Sequence, residues 1–113
     1  MGTMNHDLLM WIQNWYLDHC DGDWEHQFGI EIGTLDNPGW RIEIDIEGTI
    51  LEGVAFPEKR VERSENDWLF CEVSGHKFKA TCGPRSLSEA IEIFRIWAGE
   101  SGFQRRKALR LDR

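Results

Sequence analysis

No apolar run in the sequence approaches the roughly 18 residues that a membrane-spanning helix needs, so no span is predicted. The N-terminus lacks a basic segment leading into a long apolar one with a small-residue cleavage site, so no secretion signal is expected, and Met4 is a candidate natural start. Cysteine is scarce. Cys20, Cys71 and Cys82 are odd in number and show no C-x-x-C spacing, which argues against a disulfide framework and for a reducing cytoplasm. No G-x-S-x-G elbow, Gly-rich phosphate loop or Cys beside a suitable His and Asn offers nucleophilic or phosphoryl chemistry. His19 and Cys20 are neighbours, but adjacent residues on a helix point about 100° apart. Repeats and low-complexity segments are missing too, and residues 20–40 contain neither Lys nor Arg.

What is there is one domain's worth of chain. A sequence of 113 residues with six Trp and six Phe can fill one real core without staples. The formal charge is −7, but it is unevenly spread: Arg105, Arg106, Lys107, Arg110 and Arg113 all lie beyond Gly102. Residues 1–102 therefore hold eight of the 13 cations against 19 of the 20 acids, a formal −11. Residues 18–47 carry nine acids and one cation, Arg41. Such a body repels nucleic acid and anionic membrane and attracts basic partners. The basic tail, tethered to it, is expected to fold back on the body or stay solvated. The domain is thus read as 1–102 and the tail as 103–113.

Apolar spacing predicts the elements. Leu8, Trp11, Ile12, Trp15 and Tyr16 recur at offsets of three and four, which predicts a helix over 7–19 with Asp7 as N-cap. From residue 26 the period becomes two: Phe28, Ile30 and Ile32, then Trp40, Ile42, Ile44 and Ile46, alternate with polar residues across the turn-rich Asp36–Gly39. A third strand is predicted over about 49–55, a charged surface loop over 57–66, and strands over 67–73 and 76–82 that bury Cys71 and Cys82 as free thiols. Ser86 and Glu89 match a capping box, opening a helix with Leu87, Ala90, Ile91, Phe94 and Trp97 on its buried face and Gly99 and Gly102 at its end. The expected fold is a two-layer α+β domain, an antiparallel meander of about five strands with the N- and C-terminal helices on one face. Glu43, Asp45 and Glu47 would point outward from the other face.

The segment Cys20–Trp40, CDGDWEHQFGIEIGTLDNPGW, combines large aromatics, glycines and the acids Asp21, Asp23, Glu25, Glu31 and Asp36. Gly22, Gly29, Pro38 and Gly39 read as backbone requirements. With WIQNWY before it and IDIEGTILE and DWLFCEV after it, this segment resembles the immunity protein 53 family of bacterial polymorphic toxin systems, over roughly residues 8–98. The resemblance implies a non-enzymatic protein, made beside a toxin gene, that binds and neutralises that toxin. Many toxin domains that cut nucleic acid are basic, because their substrates are polyanions. A rigid acidic surface suits such a partner, so Asp21, Asp23, Glu25, Asp36, Glu43 and Asp45 are the expected contacts, with no cofactor and with the chain a monomer or weak homodimer. Trp24, between Asp23 and Glu25, is either an aromatic anchor at the rim or the lid of the core.

Two other classes compete with this reading. Asp21, Asp23, Glu25 and His26 could form a metal or acid–base site for a small hydrolase, but an EF-hand loop starting at Asp21 fails at His26 and Ile32. His6, His19 and His26 have no metal-ligand spacing. Trp24 and Trp68 could serve a carbohydrate-binding module, for which nothing else argues.

Overall fold

The computed structural model describes the backbone of residues 3–111 and the side chains of residues 7–99. The apolar stripe of the N-terminal segment forms α1 (Thr3–His19), with Leu8, Ile12 and Trp15 buried and Trp11 packed beside them. Asp7 lies inside this helix and does not cap it, and Tyr16 sits on its flank, 38% exposed. A single helical turn, α2 (Trp24–Gln27), follows and takes up residues 26 and 27, where the period-two pattern begins.

Five strands then form one antiparallel sheet: β1 (Ile30–Leu35), β2 (Gly39–Asp45), β3 (Lys59–Ser64), β4 (Asp67–Ser74) and β5 (Lys77–Cys82). Their spatial order is β1-β2-β5-β4-β3, so the chain leaves β2 and re-enters at the far edge, where a plain meander would step to the neighbour. The predicted third strand does not exist. Residues 46–58 form turns, with Thr49 N–H donating to Ile46 C=O and Val54 N–H to Leu51 C=O. Their apolar residues close one end of the core: Leu51 is fully buried, and Phe56 meets Phe78 and Trp97 edge-on at 5.5 and 5.2 Å. The predicted charged loop is instead the edge strand β3, in which Val61, opposite the buried Leu69, is the one residue that is not exposed.

Cross-strand register sorts side chains onto two faces. Ile42, Ile44, Phe78, Ala80, Cys82, Leu69 and Cys71 share the buried face. Helix α3 (Leu87–Leu111) covers it together with α1, through Ala90, Ile91, Phe94 and Trp97. Trp15 and Phe78 both meet Phe94 at 5.1 Å. The fold is therefore two-layer α+β, with its core between the helices and one side of the sheet.

The start of α3 is not a reciprocal capping box. Ser86 N–H donates to Gly83 C=O, and the Glu89 carboxylate turns to Arg63, which also holds Asp67. That ties the β3–β4 hairpin to the helix. α3 runs through Gly99 and Gly102, where the sequence predicts its end. Met1, Gly2 and the side chains of His6 and of the tail cations Arg105, Arg106, Lys107, Arg110 and Arg113 lie outside the described residues.

Candidate functional site

Between α1 and β1 the chain turns, and its own carboxylates stabilise the turn. Gly22 supplies the left-handed conformation, φ 89°. Asp21 Oδ1 accepts the N–H groups of Asp23 and Trp24, each at 2.9 Å. Glu25 reaches back, its two carboxylate oxygens accepting from Asp21 N–H at 2.9 Å and Gly22 N–H at 2.8 Å. Asp21 thus satisfies N–H groups where α2 begins, and Glu25 those of the turn before it.

The electrostatic consequence is direct. The N–H groups of Trp24 and Asp23 hold the Asp21 carboxyl below its ordinary pKa. Backbone donors, those of Glu25 itself, Asp21 and Gly22, do the same for Glu25, helped by His26. A general acid needs the opposite shift, so neither carboxyl is set up as a general acid. Among the described residues no group of three His, Cys, Asp or Glu side chains is arranged to hold a metal ion. His19 Nδ1 lies 2.8 Å from Trp15 C=O, with its ring against Trp15. Burial pushes the Cys71 thiol up to about 12 and the Cys82 thiol up to about 11, so neither of these two is a ready nucleophile.

Trp24 is the lid of the core. Its side chain is buried, its Nε1–H donates to Glu47 C=O at 2.8 Å, and it packs against Trp15, Tyr16, His19 and Phe28. The acidic turn is thereby fastened to the end of β2, and the exposed Glu47 joins Asp21, Asp23 and Glu25 at this end of the molecule. Asp45 lies beside it, its Oδ2 accepting Gly29 N–H at 2.9 Å.

The remaining acids are placed differently. Glu43 and Asp45 stand on the sheet face without helices, where Lys77 Nζ approaches them to 3.6 and 3.5 Å and Arg41 comes within 3.9 Å of Glu43. Asp45, then Glu43, raise the Lys77 pKa. Asp36 sits in the β1–β2 turn at the opposite end of the hairpin, about 20 Å away at 3.3 Å per strand residue. The expected acids thus form one cluster, an adjoining pair already matched by cations, and one distant residue. Among the described residues no Lys or Arg pairs with Asp21, Asp23 or Glu25.

Sequence reasoning missed the aromatic half of the uncovered face. Phe70, half-buried, lies there under the Arg60 guanidinium, 4.5 Å from the ring centroid, with Trp68 two residues away. Shallow depressions flank Phe70, one reaching Trp68 and Arg60, the other Glu43, Glu72 and Lys79. The alternation of Trp68, Phe70 and Glu72 against Leu69, Cys71 and Val73 was the available signal, obscured because both parities are apolar.

The family model described as Immunity protein 53 matches residues 9–99, from within α1 to the middle of α3. No curated protein and no solved structure matches the chain.

Proposed function

The chain belongs to the immunity protein 53 family, and from that membership we propose that it binds and neutralises a cognate bacterial toxin domain, without catalysis of its own, in the cytoplasm of the cell that makes both. The partner is a basic, nuclease-type domain, since a fold that grips polyanionic substrate presents the cations this protein complements. Contact centres on the acidic end formed by Asp21, Asp23 and Glu25, extended by Glu47 and Asp45 and flanked by Glu43. Family membership carries this reading; that, among the described residues, no Lys or Arg pairs with Asp21, Asp23 or Glu25 supports the choice of surface. Trp24 contributes by stiffening the platform, and Asp36 falls outside the patch. Long-range attraction speeds encounter, and the uncovered face beside the patch, with Phe70 and Trp68, offers apolar area to slow dissociation.

The test must separate charge from folding. Asp21 and Glu25 hold the turn together, whereas Asp23 makes no side-chain cap hydrogen bond and Glu47 is exposed. The double variant Asp23→Lys, Glu47→Lys is expected to keep the fold. It should associate on the order of tenfold more slowly with the toxin domain encoded beside this gene, with a flatter dependence on salt. A folded variant that associates and protects cells as the parent does would move the interface elsewhere.

A further inference from the structure

The sheet has two open edges, and they are treated differently. β3 carries Lys59, Arg60, Glu62 and Arg63 and a register shift between Glu62 and Ser64, the devices that discourage strand addition. β1, Ile30-Glu31-Ile32-Gly33-Thr34-Leu35, has no Lys, Arg or Pro and pairs with β2 without irregularity, and Ile32 is 46% exposed. Gly29 C=O accepts Asp45 N–H at 3.0 Å, so the alternation of antiparallel pairing makes Glu31 and Gly33 bond inward to β2. Ile30, Ile32 and Thr34 therefore direct both N–H and C=O outward.

We propose that this edge pairs with the β1 edge of a second copy of the chain, antiparallel and centred on Ile32 opposite Ile32 of the other copy. That register makes Ile32 a hydrogen-bonded pair at the two-fold axis, with Ile30 bonded to Thr34 on either side, and buries the two exposed isoleucines on each other. It also sets Glu31 of each copy opposite Gly33 of the other. Gly33 is where the Arg41 guanidinium lies: a Cβ there would stand 2.9 Å from Arg41 Nη2. Arg41 already approaches Glu31 of its own strand pair at 3.7 Å, in solvent. In the dimer each Arg41 gains the Glu31 of the other copy across a bare glycine. Sliding the register two residues one way would oppose Glu31 to Glu31, and two the other way would part Glu31 from Arg41, so charge selects the register. One short strand per copy buries little area, so the association is weak and concentration-dependent.

Sedimentation equilibrium of the full chain over rising concentration should show reversible monomer and dimer. Ile32→Pro removes an outward N–H without touching the β1–β2 ladder and should weaken dimerisation by at least about tenfold. Glu31→Arg and Arg41→Glu should each dissociate the homodimer through two repulsive contacts, and an equimolar mixture of the two should recover a heterodimer, because both contacts then join opposite charges. The charge swap decides the matter even if the proline variant does not fold. A chain that stays monomeric at every concentration, a dimer indifferent to these changes, or a mixture that fails to recover association overturns the proposal. So does a monomeric chain whose Ile32→Pro variant loses affinity for the toxin domain, which would assign this edge to the toxin.

Discussion

Gly39 stands where β2 passes closest to β5, and a Cβ there would lie 2.3 Å from the carbonyl oxygen of Cys82, a backbone atom that cannot move aside. Gly29, ten residues earlier, has open space around its Cβ position and no positive φ. Both read from sequence as backbone requirements, and only one is. Gly39→Ala should therefore cost about 1–3 kcal/mol through forced separation of the two strands, whereas Gly29→Ala should stay within about 0.5 kcal/mol of the parent. Urea unfolding midpoints of the two variants separate the cases, and equal midpoints would show that β5 yields at no cost. Sequence alone could not rank the two glycines, because the decisive neighbour, Cys82, is 43 positions away along the chain.

At the scale of elements, α2 depends on the ionisation of two side chains. Glu25 and Asp21 are held below their ordinary pKa by backbone N–H groups. A depressed folded-state pKa contributes stability that is present above the unfolded value and lost as pH falls through the folded one. The turn should therefore weaken as pH drops below about 4. Glu25→Gln removes this contribution: the variant should unfold more readily than the parent at pH 7, and the difference should close as the medium is acidified. A gap that persists undiminished at low pH would show that the amide is tolerated or rejected on shape, not charge. The sequence offers Asp21, Gly22 and Asp23 as a turn, with a ligand cluster as the lesser alternative, but the reach-back of Glu25 to Asp21 N–H was not legible in it. The apolar periodicity of α1, β2, β4, β5 and the first half of α3 was legible, since each buries one whole face. The stretches misread were those whose polarity has another cause. Residues 49–55 are apolar because Leu51 and Val54 close the core, not because they pair in a ladder. β3 is charged because an edge strand needs one inward residue and benefits from charge elsewhere.

Over the whole molecule, one imbalance of charge acts on stability and on binding with opposite signs. The acidity of residues 18–47 was plain from composition, but its division into a free end, a neutralised pair and a distant turn depends on which strands neighbour one another. Lys77 reaches Glu43 and Asp45 only because β5 inserts beside β2. Pairing Lys77, Arg63 and Arg95 with acids leaves the formal −11 of residues 1–102 unchanged, and that excess acts as repulsion within the fold. Salt shortens the reach of that repulsion to about 10 Å at 0.1 M, while the remaining ion pairs are exposed and contribute little individually. Raising sodium chloride from about 10 mM to about 150 mM should then raise the melting temperature, by about 4 °C for each kcal/mol of repulsion relieved. Over the same interval association with a basic toxin domain should slow, because the field that strains the free protein is the one that draws the partner in. Thermal melts and stopped-flow association on one salt series measure both arms. A melting temperature that falls with salt would mean that the ion pairs tying β3 to α3 and β2 to β5 outweigh the excess acids, and the acidic end would then lose its standing as an unbalanced charge awaiting a partner.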